Sequence, residues 1–564
     1  MIGTGRWKYA VTAGIIVVLS TISLGMWSMG DSDLMFKIYN GVDTFSKVYK
    51  EIALNYVDQV DPQKFMRAGI DGMLKTLDPY TVFIGENEGD ELDLVTNGKY
   101  AGVGITIGLR DGAVTVLNLV EGYSAAKQGI QVGDRILEVD GKSMVGAKPD
   151  DVRALVRGEA GTEVKMKIAR EGEPKPVEYV LLREIIPVKN VTYAGYVGGG
   201  IGYIRLERFS RTAADDVRNA IKELQGKGDL KGIVLDLRDN PGGLLDIAVS
   251  VVADFVPENS LVVSTRGRRN ESDRKYYSTE SPLVPNVPLA VLVDRGSASA
   301  SEIVAGAIQD LDRGIIVGER SFGKGLVQTI TRISETSSVK VTTARYYTPS
   351  GRCIQEIDYS HRTKDGVFAT FPDSLKRVFR TSHKRIVLEG GGIEPDSTVA
   401  DEEVGKVIDE LVRKAMFFKF ANTYAVTHKS LPEDFQVSDD LLKDFETFLK
   451  DKKFEYQEDS EVKLKELRDI AEKERYKKEF LDDVTRLNTM IEGEKERKIQ
   501  RYEKEMRNYL RAEIEGRING ERAEIESTLP DDRQLNVAVS LLKNNRTYDK
   551  LLAVTPGKNS KKEE

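Results

Sequence analysis

Between residues 288 and 325 two short apolar runs, PLAVLVD (Pro288–Asp294) and GIIVG (Gly314–Gly318), flank a segment whose Ile303, Ala307 and Leu311 recur at helical spacing. Uninterrupted apolar runs of this length suit buried strands, and strands that alternate with helices favour a sheet that is at least partly parallel. The same order occurs upstream. IGYIRLERFS (Ile201–Ser210) reads as a strand, AADDVRNAIKELQ places Val217, Ile221 and Leu224 on one helical face, and GIVLDLR reads as a buried strand. The stretch from about Asn190 to Ala400 is therefore expected to be an α/β core.

The helix after PLAVLVD should start at Arg295–Gly296, which puts Ser299 in its first turn. The first N–H groups of a helix lack internal partners and favour negative charge, so an oxyanion beside Ser299 would be stabilised there. Ser299 and Glu302, three residues apart, equally fit a capping box. Lys324 follows the second apolar run in SFGKG. A lysine acts as a base only where its surroundings lower its pKa, and the flanking glycines permit the sharp bend that such packing needs. Gly318 to Lys324 also reads GxxxxGK, the start of a phosphate-binding loop. The next residue is Gly325, where that loop needs Ser or Thr, and LVQTITRI beyond it alternates like a strand. Only His361, His383 and His428 are present, none within a recognisable nucleophile or metal motif. A serine–lysine pair, by contrast, has both members in one strand–helix–strand unit.

This region resembles the catalytic core of the C-terminal processing peptidases, or tail-specific proteases, whose serine lies in G-x-A-S-A-S-E and whose lysine lies in F-G-K-G 25 residues later (324 − 299 = 25). The resemblance implies that Ser299 is the nucleophile and Lys324 the general base. It implies that Gln328 orients the lysine, with Asp310 as a supporting acid. DLRDNPGG (Asp236–Gly243) is similar to the family's glycine-rich turn, which implies an oxyanion hole from Gly242, Gly243 and Ala300. YAGVGITIGLRDGAVTVLNLVEGYSAAKQGIQVGDRILEVDGK (Tyr100–Lys142) resembles a PDZ domain, with hairpin signals at Asp111-Gly112 and Asp140-Gly141. By that resemblance the loop Tyr100, Ala101, Gly102, Val103 and Gly104, with Ile105 in the strand from Val103 to Ile107, binds a substrate's C-terminus by strand addition. LDPYTVFI (Leu77–Ile84), VTTARYYTPSGRCIQ and GGIEPD are also similar to family segments.

The remaining chain sets the domain plan. Arg6 and Lys8 precede an apolar run from about Tyr9 to Met29, long enough to span a bilayer and without a clear cleavage site. It reads as a signal-anchor with the rest of the chain facing the periplasm from the inner membrane; cleavage to a soluble periplasmic form is the alternative. The expected plan is multi-domain α/β: anchor 1–31, N-terminal helices 32–91, PDZ domain 92–185, peptidase core 186–400 built from ββαβ-type repeats, charged helices 401–555 and a disordered tail 556–564. A net charge of −7 over 564 residues does not suit a nucleic-acid partner. The single cysteine, Cys353, excludes an internal disulfide framework and a cysteine-based zinc cluster. Neither a cofactor nor a metal is expected. Expected partners are proteins with exposed C-terminal tails, an activating adaptor, and further copies of the chain through the N- or C-terminal helices. Two function classes stand: a serine–lysine endopeptidase of extracytoplasmic proteins, and a PDZ scaffold with an inactive core.

Overall fold

The structure is a computed structural model that describes residues 32–85, 98–362, 368–370, 376–400 and 404–553. The expected anchor and the terminal tail lie outside these residues. Among the described residues no helix is long and apolar enough to cross a membrane. The chain divides into two compact units, residues 1–83 and 84–564.

In the first unit a helix over residues 32–55 (α1) is followed by α2 (Pro62–Leu74). Asp61 caps α2 by accepting from the Gln63 and Lys64 N–H groups, and Pro62 at the first helical position needs no partner for a missing N–H. The rings of Phe45, Tyr49 and Phe65 stack between the two helices. The LDP segment is a turn held by Asp78, which accepts from the N–H groups of Tyr80 and Thr81.

The second unit begins with β1 (Lys99–Gly102), then β2 (Ile105–Arg110), β3 (Ala113–Leu119), α3 (Ser124–Gln128), β4 (Arg135–Val139), α4 (Pro149–Val156), β5 (Glu163–Ala169), β6 (Val177–Leu182) and β7 (Glu184–Pro187). Strands β2 to β6 form an antiparallel sheet in chain order, and β1 pairs with β7. Val114, Val116, Ile136, Val152 and Val164 fill the small core beneath α4.

Next come β8 (Val191–Tyr196), β9 (Ile201–Leu206), α5 (Ala213–Lys227), β10 (Gly232–Asp236), α6 (Leu245–Ala253), β11 (Leu261–Gly267), β12 (Arg274–Tyr277), β13 (Leu289–Val293), α7 (Ala300–Asp310), β14 (Ile315–Gly318), β15 (Leu326–Arg332), β16 (Ser338–Tyr347) and β17 (Ser397–Thr398). The central sheet runs β8-β9-β10-β13-β14-β17, antiparallel at β8–β9 and parallel elsewhere. Strand side chains alternate between faces. On one face Ile233, Leu235, Leu289, Val291 and Val293 meet Val217, Ile221, Ile303 and Val304 of α5 and α7. On the other face lie Val234, Ala290, Leu292, Ile315 and Val317. Both faces are covered, which is why these strands read as continuous apolar runs.

The charged region supplies α8 (Lys406–Arg413), α9 (Met416–Thr427), α10 (Asp439–Asp451), α11 (Asp459–Lys473), α12 (Lys478–Arg501), α13 (Glu503–Asn519), α14 (Glu521–Thr528), α15 (Arg533–Lys543) and α16 (Asn545–Leu552). Helices α8, α9, α10 and α13 share a narrow core of Leu411, Phe417, Phe420, Phe445 and Leu510. The last two helices do something else. Leu535, Ala538, Val539, Leu542 and Tyr548 form the layer over the second face of the central sheet. The boundary expected at residue 400 therefore does not separate packing units, because residues 533–552 return to complete the core. The β2–β6 sheet rests on α9 through Lys419, which pairs with Asp111 at 2.7 Å.

Candidate active site

The turn after β13 is built on Asp294, whose Oδ1 accepts from the N–H groups of Gly296 (2.9 Å) and Ser297 (3.0 Å). The same oxygen accepts from Asp239 N–H at 3.0 Å, which ties this turn to the DLRDNPGG segment. Further ties follow. Ser297 Oγ donates to Leu237 O (2.7 Å), Ala298 N–H to Asn240 O (3.0 Å) and Ser301 Oγ to Asn240 O (2.8 Å).

Ser299 is the N-cap of α7, one residue before the helix rather than inside its first turn. Its backbone has φ 57° and ψ −111°, a conformation that costs a non-glycine residue about 1–3 kcal/mol and persists only where neighbours hold it. Those neighbours are Tyr346, whose hydroxyl donates to Ser299 O (3.1 Å), and Glu302, whose Oε2 accepts from Ser299 N–H (2.9 Å). The Ser299–Glu302 pair has capping-box form, but Ser299 Oγ makes no cap hydrogen bond of normal geometry. Between Ser297 and Asp310 every residue except Ser299 is buried.

The lysine loop runs beside this turn. Phe322 N–H donates to Ser297 O (3.0 Å), and Gly323 and Lys324 N–H groups donate to the two oxygens of Glu302 at 2.7 and 2.9 Å. Gly325 N–H donates to Gln355 Oε1 (2.7 Å). Gly323 has φ 86°, and a Cβ there would lie 2.6 Å from that of Glu356, so the bend before the lysine requires glycine. Lys324 itself is half-buried.

The glycine turn fits against the serine. A Cβ on Gly242 (φ 98°) would come within 2.8 Å of Ala300 N and Ser299 Cβ; one on Gly243 (φ 151°) would come within 2.3 Å of Phe209 O. The two glycines differ in what they offer. Gly242 N–H donates to Asn240 Oδ1 (2.9 Å), whereas Gly243 N–H has no hydrogen-bond partner among the described residues. Ala300 N–H opens the helix, where no internal partner exists. A cavity of about 360 Å³ lined by Phe209, Pro241, Gly242, Gly243 and Arg208 adjoins the turn.

One residue named from sequence stands elsewhere. Asp310 closes the far end of α7, eleven residues from Ser299 or roughly 16 Å along the helix. There it pairs with Arg352 at 2.9 Å, both side chains fully buried, and accepts from Ser350 N–H. It supports the helix, not the serine. Gln328 lies on β15 beside a bulge and donates to Thr342 Oγ1 at 3.3 Å.

In the PDZ domain, Tyr100, Ala101 and Gly102 belong to β1, paired with β7, and not to a loop. Ile185 and Ile186 supply a partner strand that the sequence did not announce. Val103 and Gly104 form the turn into β2, which starts at Ile105 and not Val103. Strand β2 lies at the sheet edge, paired with β3, and α4 packs alongside it.

Sequence reasoning missed four residues. Glu302 was visible only as a cap, although an acid amid the apolar residues of a buried helix was a signal. Burial pushes its carboxyl pKa up, opposed by hydrogen bonds from Ser321, Gly323, Lys324 and Ser299. Asn240 and Gln355, which bind turn N–H groups, carried no signal. Arg238 was passed over within the glycine-turn motif. It binds Asp236 (2.6 Å) and, from the C-terminal region, Asp532 (2.6 Å) and Gln534 (3.2 Å). Burial alone would raise the Asp236 carboxyl; Arg238 and the Tyr203 hydroxyl hold it below its usual range.

Residues 200–361 match Peptidase family S41, residues 115–170 a PDZ domain, residues 407–542 the C-terminal helical domain of probable PDZ-proteases, and residues 29–88 the N-terminal domain of the activating protease CtpB. The carboxy-terminal-processing protease of Bartonella bacilliformis is 40% identical over 322 residues, covering 57% of this chain and 74% of that protein. CtpB of Bacillus subtilis is 31% identical over 367 residues, covering 63% and 76%. Among solved structures, the photosystem II D1 C-terminal processing protease covers 64% of this chain and 89% of its own at 29% identity, with a TM-score of 0.34. The chain therefore belongs to peptidase family S41, among the carboxy-terminal processing proteases, and is a serine-type peptidase with a PDZ domain. The similarity seen in sequence from Leu77 to Asp396 extends into the regions on both sides.

Proposed function

We propose that the chain is a serine–lysine endopeptidase that captures the C-terminal tails of extracytoplasmic proteins and cleaves near them. The supporting observation is the strained, half-exposed Ser299 at the start of a buried helix, facing a glycine turn and flanked by the Lys324 loop. Neutral Lys324 takes the Ser299 Oγ proton as Oγ attacks the scissile carbonyl carbon. The resulting oxyanion accepts from Gly243 and Ala300 N–H, since the Gly242 N–H is engaged by Asn240. The C–N bond then breaks, the lysinium proton passes to the leaving amine, and a water deprotonated by Lys324 hydrolyses the Ser299 ester. Gln328, four residues past Lys324 in the chain, orients the lysine amine. The tail adds to the edge of β2 beside α4, its carboxylate toward Val103 and Gly104. Residues 9–29 anchor the chain in the inner membrane with the catalytic part in the periplasm, where an adaptor engages the N-terminal helices.

The full chain should be incubated with an unfolded protein ending in apolar residues, its C-terminus free or amidated. Cleavage of the free form is expected, with markedly slower cleavage of the amidated form, and none by Ser299→Ala, Lys324→Ala or Lys324→Arg, since arginine does not release its proton. Binding of the tail without cleavage by the wild type would leave the scaffold reading instead.

A further inference from the structure

Glu302 is fully buried, and its carboxylate accepts four hydrogen bonds. Oε2 takes the N–H groups of Ser299 (2.9 Å) and Lys324 (2.9 Å); Oε1 takes Gly323 N–H (2.7 Å) and Ser321 Oγ (2.6 Å). A capping box accounts for one of these four. The other three come from the loop 19 to 22 residues further on, and Ser321 Oγ in turn accepts from Ile393 N–H (2.7 Å). A carboxylate removed from water is costly unless its oxygens are satisfied, and a helix cap alone is served by an exposed glutamate. Ser299 and Gly323 both have positive φ, at 57° and 86°. One buried group thus spans two bent segments whose separation decides whether the serine hydroxyl and the lysine amine meet.

We propose that Glu302 is the positioning residue of the dyad, its carboxylate fixing the Ser299 turn against the Lys324 loop through their backbone N–H groups. This rests on the serine–lysine reading above. A misplacement of roughly 1 Å at reacting atoms costs about 10²-fold in rate. Glu302→Ala should therefore lower kcat by about 100-fold while KM changes by less than about twofold, because the tail is held by the PDZ domain. Glu302→Gln keeps one carbonyl oxygen, which can still bridge the Ser299 and Lys324 N–H groups, but sets an amide NH₂ against Gly323 N–H. It should recover part of the lost kcat, about tenfold over the alanine variant. Should Glu302→Ala fail to fold, Ser321→Ala serves instead. It removes one of the four bonds, and its several-fold loss of kcat should vanish in the Glu302→Gln background if the two act as a unit.

The experiment measures kcat, KM and the thermal midpoint for these variants beside Ser299→Ala and Lys324→Ala. Inactive Ser299→Ala and Lys324→Ala with wild-type kcat in a folded Glu302→Gln or Glu302→Ala, or a loss confined to KM, would overturn the role of Glu302 alone. Activity in a folded Ser299→Ala would overturn the dyad itself.

Discussion

At the scale of single residues the site is governed by backbone positions that few side chains tolerate. Gly242 makes this measurable. Its missing Cβ leaves room for Ala298 O at 2.6 Å and for Ala300 N and Ser299 Cβ at 2.8 Å, and its φ is 98°. Gly242→Ala should push the serine turn away from the glycine turn and lower kcat by about 100-fold. Gly226→Ala, in α5 with nothing within 4 Å of the added carbon, should leave cleavage unchanged and stabilise by up to about 1 kcal/mol. Equal effects of the two substitutions on kcat would contradict this account of the turn. Ser299, Lys324 and the two glycines were legible because motif spacing survives in a linear string. Asn240 and Asp294 were not, since each joins its local turn to a distant segment, Asn240 by donating to Leu206 O and Asp294 by accepting from Asp239 N–H, contacts that only folding brings about. Asp310 was singled out by resemblance as a supporting acid, but not as the partner of Arg352, 42 residues away.

At the scale of elements, one helix that braces the glycine-turn segment lies nearly 300 residues from it in the chain. Asp532 caps α15 by accepting from Leu535 N–H (2.9 Å) and also binds Arg238 in the glycine-turn segment. Asp532→Ala should cost about 1 kcal/mol through the lost cap. It should lower kcat more than an exposed cap would, Ser438→Ala at the start of α10 being the comparison. Chemical denaturation and steady-state kinetics read the two effects separately, and a kcat equal to that of Ser438→Ala would sever α15 from the chemistry. The strand–helix–strand core was readable because each apolar run is local and continuous. The return of α15 was not, because Leu535, Ala538, Val539 and Leu542 describe any amphipathic helix, and nothing in their spacing names the surface they cover. The pairing of β1 with β7 escaped for the same reason: strand partners 82 to 88 residues apart leave no local mark.

At the scale of the whole molecule, the proposed catalysis and tail capture, and the bracing by α15, fall to separate stretches of one chain. The N-terminal apolar run bears on where they work. If residues 9–29 anchor the protein, a high-salt wash should leave it in the membrane fraction and detergent should release it, since salt screens surface charge but leaves apolar insertion intact. Release by salt alone would contradict the anchor. The central claim, that Ser299 is acylated with Lys324 as its base, is tested most directly by trapping. The full chain is quenched in acid during turnover of a peptide ester, digested, and mapped by mass spectrometry. The account predicts an acyl group on the peptide that contains Ser299, absent in folded Lys324→Ala and Ser299→Ala. An acyl group on another residue, or one that still forms on Ser299 at the wild-type rate in Lys324→Ala, would contradict it.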